Sequence, residues 1–105
     1  MATSRSCPAE SAVKLIGGRW KIIILWYLFQ GVHRYAELRR ALNGVTQKVL
    51  TQQLRDMEQN GLVTRRIYAQ VPPKVEYSLT PLGMSLKPIV EAIHQWGLAH
   101  GATEK

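Results

Sequence analysis

The chain has 105 residues, fourteen Lys and Arg against seven Asp and Glu, and a formal net charge of +7, so one basic domain is expected, with a polyanion such as nucleic acid as its partner. A single cysteine, Cys7, excludes an intrachain disulfide framework, and the scattered His33, His94 and His100 imply no metal set. No run reaches the roughly 18 apolar residues of a membrane span, the start MATSRSCPAE lacks a signal peptide's apolar core, and no paired carboxylates or Ser/His/Asp set mark an enzyme; a cytoplasmic protein without a cofactor is expected.

Residues 1 to 7 read as a flexible arm. Pro8, at a helix N1 position, starts a first helix through Ile16 that Gly17-Gly18 ends, with Ala12, Val13, Leu15 and Ile16 on its apolar side. The unbroken run IIILWYLF between Trp20 and Gln30 fits a buried strand or a central helix. Length favours the helix, because eleven residues is long for a strand in so small a chain, and Gly31 suits a helix stop.

Tyr35, Leu38 and Leu42 then recur at helical spacing until Asn43-Gly44. Thr46 caps the next helix, which stops at Asn60-Gly61. Leu50, Leu54 and Met57 fall within one narrow arc of it, whereas Lys48, Thr51, Gln52, Arg55 and Gln59 point the other way, with Asp56 near the edge. A connection this tight makes the two helices cross at a large angle, as in a helix-turn-helix.

From Val63 to Tyr68 and from Val75 to Leu79 the pattern alternates, predicting a hairpin with Val63, Ile67, Val75, Tyr77 and Leu79 inward and Pro72-Pro73 stiffening its tip. Thr80-Pro81 opens a last helix whose stripe of Leu82, Leu86, Ile89, Ile93 and Trp96 follows a four-three repeat, widened by Val90; Pro88 inside it predicts a kink or a restart near Lys87. Three helices already share the small core, so this stripe is expected to pair with a second copy. The fold class is mainly α with a small β-hairpin: one winged helix-turn-helix domain over 1–105 with terminal dimerisation helices.

Charge is concentrated in the same region, for eight of the fourteen basic residues lie between 34 and 74 against three acidic ones, Glu37, Asp56 and Glu58. Gln47, Lys48, Thr51, Gln52 and Arg55 occupy the first turns of the reading helix: Gln pairs with adenine N6 and N7, and Lys or Arg with guanine O6 and N7. Arg34, Arg40, Arg65, Arg66 and Lys74, with Thr46 at the helix start, are candidates for the DNA backbone and the wing. A solvated surface charge is the plain reading for Arg39, Arg65 and Lys21. The competing function, a winged helix that binds protein, calls for a neutral or apolar reading helix, which Lys48 and Arg55 oppose.

Cys7 precedes a helix N-terminus, where the helix dipole and nearby Arg5 would favour its thiolate and raise its reactivity; an ordinary, partly buried thiol is the alternative. Trp20, Trp26 and Trp96 suit the core or a dimer interface, with a ligand cavity between them as a further option.

Five segments in this order, CPAE, IGGRWKIIIL, HRYAEL with LRRAL, KVLTQQLRDMEQNGLV and PPKVEYSLTPLG, resemble the HxlR-type winged helix-turn-helix regulators, relatives of the MarR group, from Cys7 to Gly97. The resemblance implies a homodimer joined through the terminal helices, a reading helix in the major groove and wings on the flanking backbone or minor groove. It also makes the Ile22 to Phe29 run a helix, and, because some members use a cysteine here to sense electrophiles or oxidants, it makes Cys7 a candidate sensor. Two residues depart from the family pattern. Gln53 stands where Arg is frequent, which would weaken a phosphate contact, and Tyr35 stands where Phe is usual, which should be neutral.

Overall fold

Short-range signals delimit almost every element of the computed structural model, which describes residues 7–101. The expected arm and Arg5 lie outside these residues, apart from Cys7 at the arm's end. Helix α1 (Pro8–Ile16) has the proline in its first turn and closes with the Gly17 N–H donating to the Val13 carbonyl. The ambiguous apolar run is helix α2 (Lys21–Phe29). Ile24, Leu25 and Leu28 are fully buried, and its remaining apolar side chains are half-buried against the same core, as expected of a helix surrounded by neighbours.

Helices α3 (Tyr35–Ala41) and α4 (Gln47–Gln59) form the helix-turn-helix. The Thr46 hydroxyl caps α4 by accepting the Val49 N–H at 3.1 Å. At its other end Gly61 adopts φ +75°, a conformation that spares a Cβ, and the Leu62 N–H donates back to the Met57 carbonyl at 2.9 Å. That stop turns the chain directly into β1 (Val63–Tyr68), which pairs antiparallel with β2 (Lys74–Leu79) from Val63 opposite Leu79 to Tyr68 opposite Lys74. The turn before α3 joins the same sheet: Arg34 bridges to Glu76, and the Tyr77 N–H donates to the His33 carbonyl at 2.9 Å. The wing is thereby fastened to the start of the helix-turn-helix.

One inward strand position is not buried. Ile67 pairs with Val75 on the face that carries Val63 and Tyr77, yet it is 62% exposed, because the hairpin projects beyond the core there. Alternation predicts the face of a strand residue but not how far the underlying body extends.

The last helix restarts at Lys87. A short α5 (Pro81–Met84) ends as the Ser85 hydroxyl donates to the Leu82 carbonyl, and α6 (Lys87–Ala99) follows with Pro88 in its first turn, where a missing N–H breaks no ladder bond. Thr80 anchors this joint, accepting the Gly83 N–H at 3.0 Å and donating its own N–H to the Leu62 carbonyl at 3.1 Å. A side chain at Gly83 would overlap that Leu62 carbonyl, so the residue is glycine for close approach rather than for a special φ.

Helix α6 lies on α2 but buries only Val90 completely, while Leu86 packs at the edge of the core. Leu82, Ile89, Ile93 and Trp96 remain exposed, as does Val13 of α1, so the apolar sides of both terminal helices are largely uncovered by their own chain. Among the described residues no helix is long and apolar enough to cross a membrane.

Candidate nucleic-acid interface

Burial of Leu50, Leu54 and Met57 forces the opposite side of α4 outward, and the helical repeat then gathers Gln47, Lys48, Thr51, Gln52 and Arg55. These five side chains line a single shallow depression of about 500 Å³. Lys48 and Arg55 have no carboxylate partner among the described residues, and the same holds for Arg39 and Arg40, which line an adjoining depression of about 420 Å³ with Tyr35, Ala36 and Gln47. Four unpaired cations thus border a surface rich in amide and hydroxyl groups.

The nearby carboxylates are held at its margins. Asp56 lies 3.6 Å from Lys21 Nζ and accepts the Gln52 Nε2–H at 3.2 Å, so it steadies the amide of a reading candidate while its charge is balanced from α2. Lys21 is therefore no solvated charge; its side chain is only 12% exposed. Glu37 accepts the Arg34 N–H at 3.4 Å at the start of α3, and Glu58 lies 3.6 Å from Arg65 Nε.

The backbone and wing candidates differ among themselves. Arg34 Nε and Lys74 Nζ both reach Glu76, at 3.7 and 3.8 Å, and Lys74 also lies 4.2 Å from the centre of the Tyr68 ring. Arg66 sits 5.1 Å over the same ring. Arg34 is half-exposed and held loosely, since exposed ion pairs contribute about 0–1 kcal/mol and yield readily to a stronger anion such as phosphate, whereas Lys74 and Glu76, at 23% and 27% exposed, are more closely held. Glu76 was not foreseen as part of the site. Nothing in its local pattern shows that Arg34, forty-two positions earlier, would be bridged to it across the sheet.

Thr46 is occupied as the cap of α4, so it contributes by fixing where the helix begins. At Tyr35, where the family usually has Phe, the hydroxyl lies 3.0 Å from Thr51 Oγ1 and donates to the Gln47 carbonyl at 3.3 Å. Gln53 is half-buried beside the outward face. Beneath the site, burial pushes the Tyr77 phenol up from its ordinary pKa, with Arg65 opposing the shift.

Away from this surface, Cys7 is exposed at the N-cap of α1, not partly buried. Of the three tryptophans, Trp26 alone lines the groove of about 340 Å³ between α2 and α6, where it stacks on His94 with ring centres 3.9 Å apart. Among the described residues no group of three His, Cys, Asp or Glu is placed to hold a metal.

The chain matches the family described as HxlR-like helix-turn-helix over residues 15–105. It is 50% identical over 92 residues to the regulatory protein MalR of Fusobacterium mortiferum, covering 87% of each chain. To the uncharacterised HTH-type transcriptional regulator YkvN of Bacillus subtilis it is 52% identical over 92 residues, which is 88% of this chain and 78% of that one. The solved structure of the redox regulator HypR in its oxidised form superposes with a TM-score of 0.85 at 46% identity, covering 90% of this chain and 98% of that chain. With the same hairpin and crossed helices, and a match over most of its length, the chain belongs to the HxlR-like helix-turn-helix family of transcriptional regulators.

Proposed function

We propose that two copies of this chain bind an inverted-repeat operator in duplex DNA in the cytoplasm, each inserting α4 into the major groove and resting its hairpin on the flanking backbone. The observation that carries this reading is the outward face of α4, where Gln47, Lys48, Thr51, Gln52 and Arg55 surround one depression and neither cation has an ion-pair partner among the described residues. Cations without ion-pair partners among amides suit a phosphate-lined groove better than the neutral or apolar face that a protein-binding winged helix calls for. The exposed Leu82, Ile89, Ile93 and Trp96 supply the face through which a second copy would join. Two-fold symmetry then sets half-sites about 34 to 36 Å apart.

Selection of binding sites from random duplexes tests the assignment. Gln52→Ala and Lys48→Ala are expected to relax preference by about 1–3 kcal/mol at their own base pairs, whereas Lys74→Ala should weaken all sequences alike and lower the salt slope by about one phosphate. Unchanged preference in both helix variants would overturn it.

Regulation through Cys7 is the finer part of the proposal, supported by its exposure and by similarity to a regulator known in oxidised and reduced forms. With one cysteine per chain, a disulfide can form only between chains or with a small thiol. Operator binding by the wild type should change on treatment with diamide and recover with dithiothreitol, and Cys7→Ser should not respond. An equal response in the variant excludes this thiol as the sensor.

A further inference from the structure

The Tyr35 hydroxyl contacts two groups one turn apart on α4: the Gln47 carbonyl at 3.3 Å and Thr51 Oγ1 at 3.0 Å. A carbonyl only accepts, so where both contacts are hydrogen bonds the single Tyr35 proton goes to Gln47. The second contact is then a hydrogen bond only if Thr51 donates its own proton to the tyrosine oxygen. A helical threonine otherwise returns that proton to a carbonyl three or four residues back, whereas here Thr51 Oγ1 is paired with the Tyr35 hydroxyl. Both ends of the chain of bonds lie within the protein, and Thr51 has no proton left to offer outward.

We infer that Tyr35 is a specificity-positioning residue that turns Thr51 into a pure acceptor on the reading face. This rests on the reading of α4 as the base-reading helix. An acceptor hydroxyl can take a hydrogen bond from the amino group of adenine N6 or cytosine N4, but it cannot donate to guanine, which presents only the N7 and O6 acceptors in the major groove. The base beside Thr51 is therefore one that presents its amino group in the major groove, adenine or cytosine, and guanine and thymine are disfavoured at that position. Tyr35 acts through Thr51, by holding the direction of its proton.

The geometry makes the residue types specific. Phenylalanine would fill the same half-buried space at the head of α3 but leave the Thr51 proton free to divide between the Gln47 carbonyl and an acceptor on a base. Serine at 51 keeps the hydroxyl, whereas valine keeps the shape and removes it.

Site selection with the full chain and three variants tests this. At one base pair per half-site, wild type and Thr51→Ser should prefer adenine or cytosine over guanine and thymine on the strand that faces Thr51. Tyr35→Phe should cut that preference about two- to tenfold, the scale of one hydrogen bond, with other positions and the melting temperature nearly unchanged. Thr51→Val should remove the preference for the amino base at the same pair. If Thr51→Val alters one position and Tyr35→Phe alters none, Thr51 reads but is not set by Tyr35, and the inference falls while the DNA-reading function stands. If Tyr35→Phe weakens all positions alike, its role is structural only, and the inference also falls. A wild type with no sequence preference at any position would remove the function and this inference together.

Discussion

Helices α4 and α6 are each thirteen residues long and amphipathic, yet they end in opposite situations. Helix α4 has Leu50, Leu54 and Met57 sealed in the core, with Val49 half-buried beside them, and turns amides and cations outward. By contrast α6 seals only Val90, at 1% exposure, and leaves Ile89, Ile93, Trp96 and Leu98 in contact with water. A helix whose apolar face is already satisfied can only recruit a partner through polar contacts, whereas one with a surplus of apolar surface gains from any apolar partner. The first situation suits DNA and the second suits another protein surface. Equal length and similar patterning thus give two kinds of interface, decided by how much apolar surface the monomer has left over.

That contrast breaks if the two helices respond alike to losing an apolar side chain. Leu54→Ala should destabilise the monomer by about 2–5 kcal/mol, since it opens a cavity with no room to collapse, and its melting point should fall at every protein concentration. Ile89→Ser removes a side chain that is exposed and of similar helix propensity, so monomer stability should move by no more than about 0.5 kcal/mol. Its effect should appear instead in self-association, with dimer dissociation rising about tenfold or more in sedimentation equilibrium, the scale of an interface residue contributing above 1 kcal/mol. An Ile89→Ser chain that melts like Leu54→Ala would mean that α6 is a core helix, and one that dimerises as the wild type does would remove Ile89 from the interface.

Much of this division was legible in the sequence, because it rests on local signals. Thr46 and Thr80 as caps, Gly61 as a stop and Pro88 as a first-turn residue fix the helices from side-chain chemistry within four positions. The outward set on α4 follows from the helical repeat alone. What could not be read is everything set by distance along the chain. Burial of Lys21 against Asp56, the bridging of Arg34 and Lys74 by Glu76, and the Tyr35 contact with Thr51 join residues whose proximity exists only once the helices cross and the hairpin folds back. The exposure of Ile67 is of the same kind, since its alternation is right but the core ends before reaching it.

The smallest expected effect concerns the one buried ionisable ring on the α4 side. Burial raises the Tyr77 phenol above its ordinary value of 10.0, with Glu58 and Tyr35 adding to the shift and Arg65 and Arg55 opposing it. The sign follows from which state ionises first. Below about pH 10 the ring is neutral in both folded and unfolded chains, so its contribution to stability is fully present. As the pH rises further the unfolded chain releases its proton before the fold does, and stability declines until the folded phenol also ionises. Tyr77→Phe, which removes only the hydroxyl, should therefore flatten part of the alkaline decline in urea midpoints measured from pH 8 to 11 while leaving the neutral range almost unchanged. Identical alkaline slopes in the two proteins would show that Tyr77 is no less solvated in the fold than in the unfolded chain, and would weaken the claim that the core on the α4 side is closed where that on the α6 side is open.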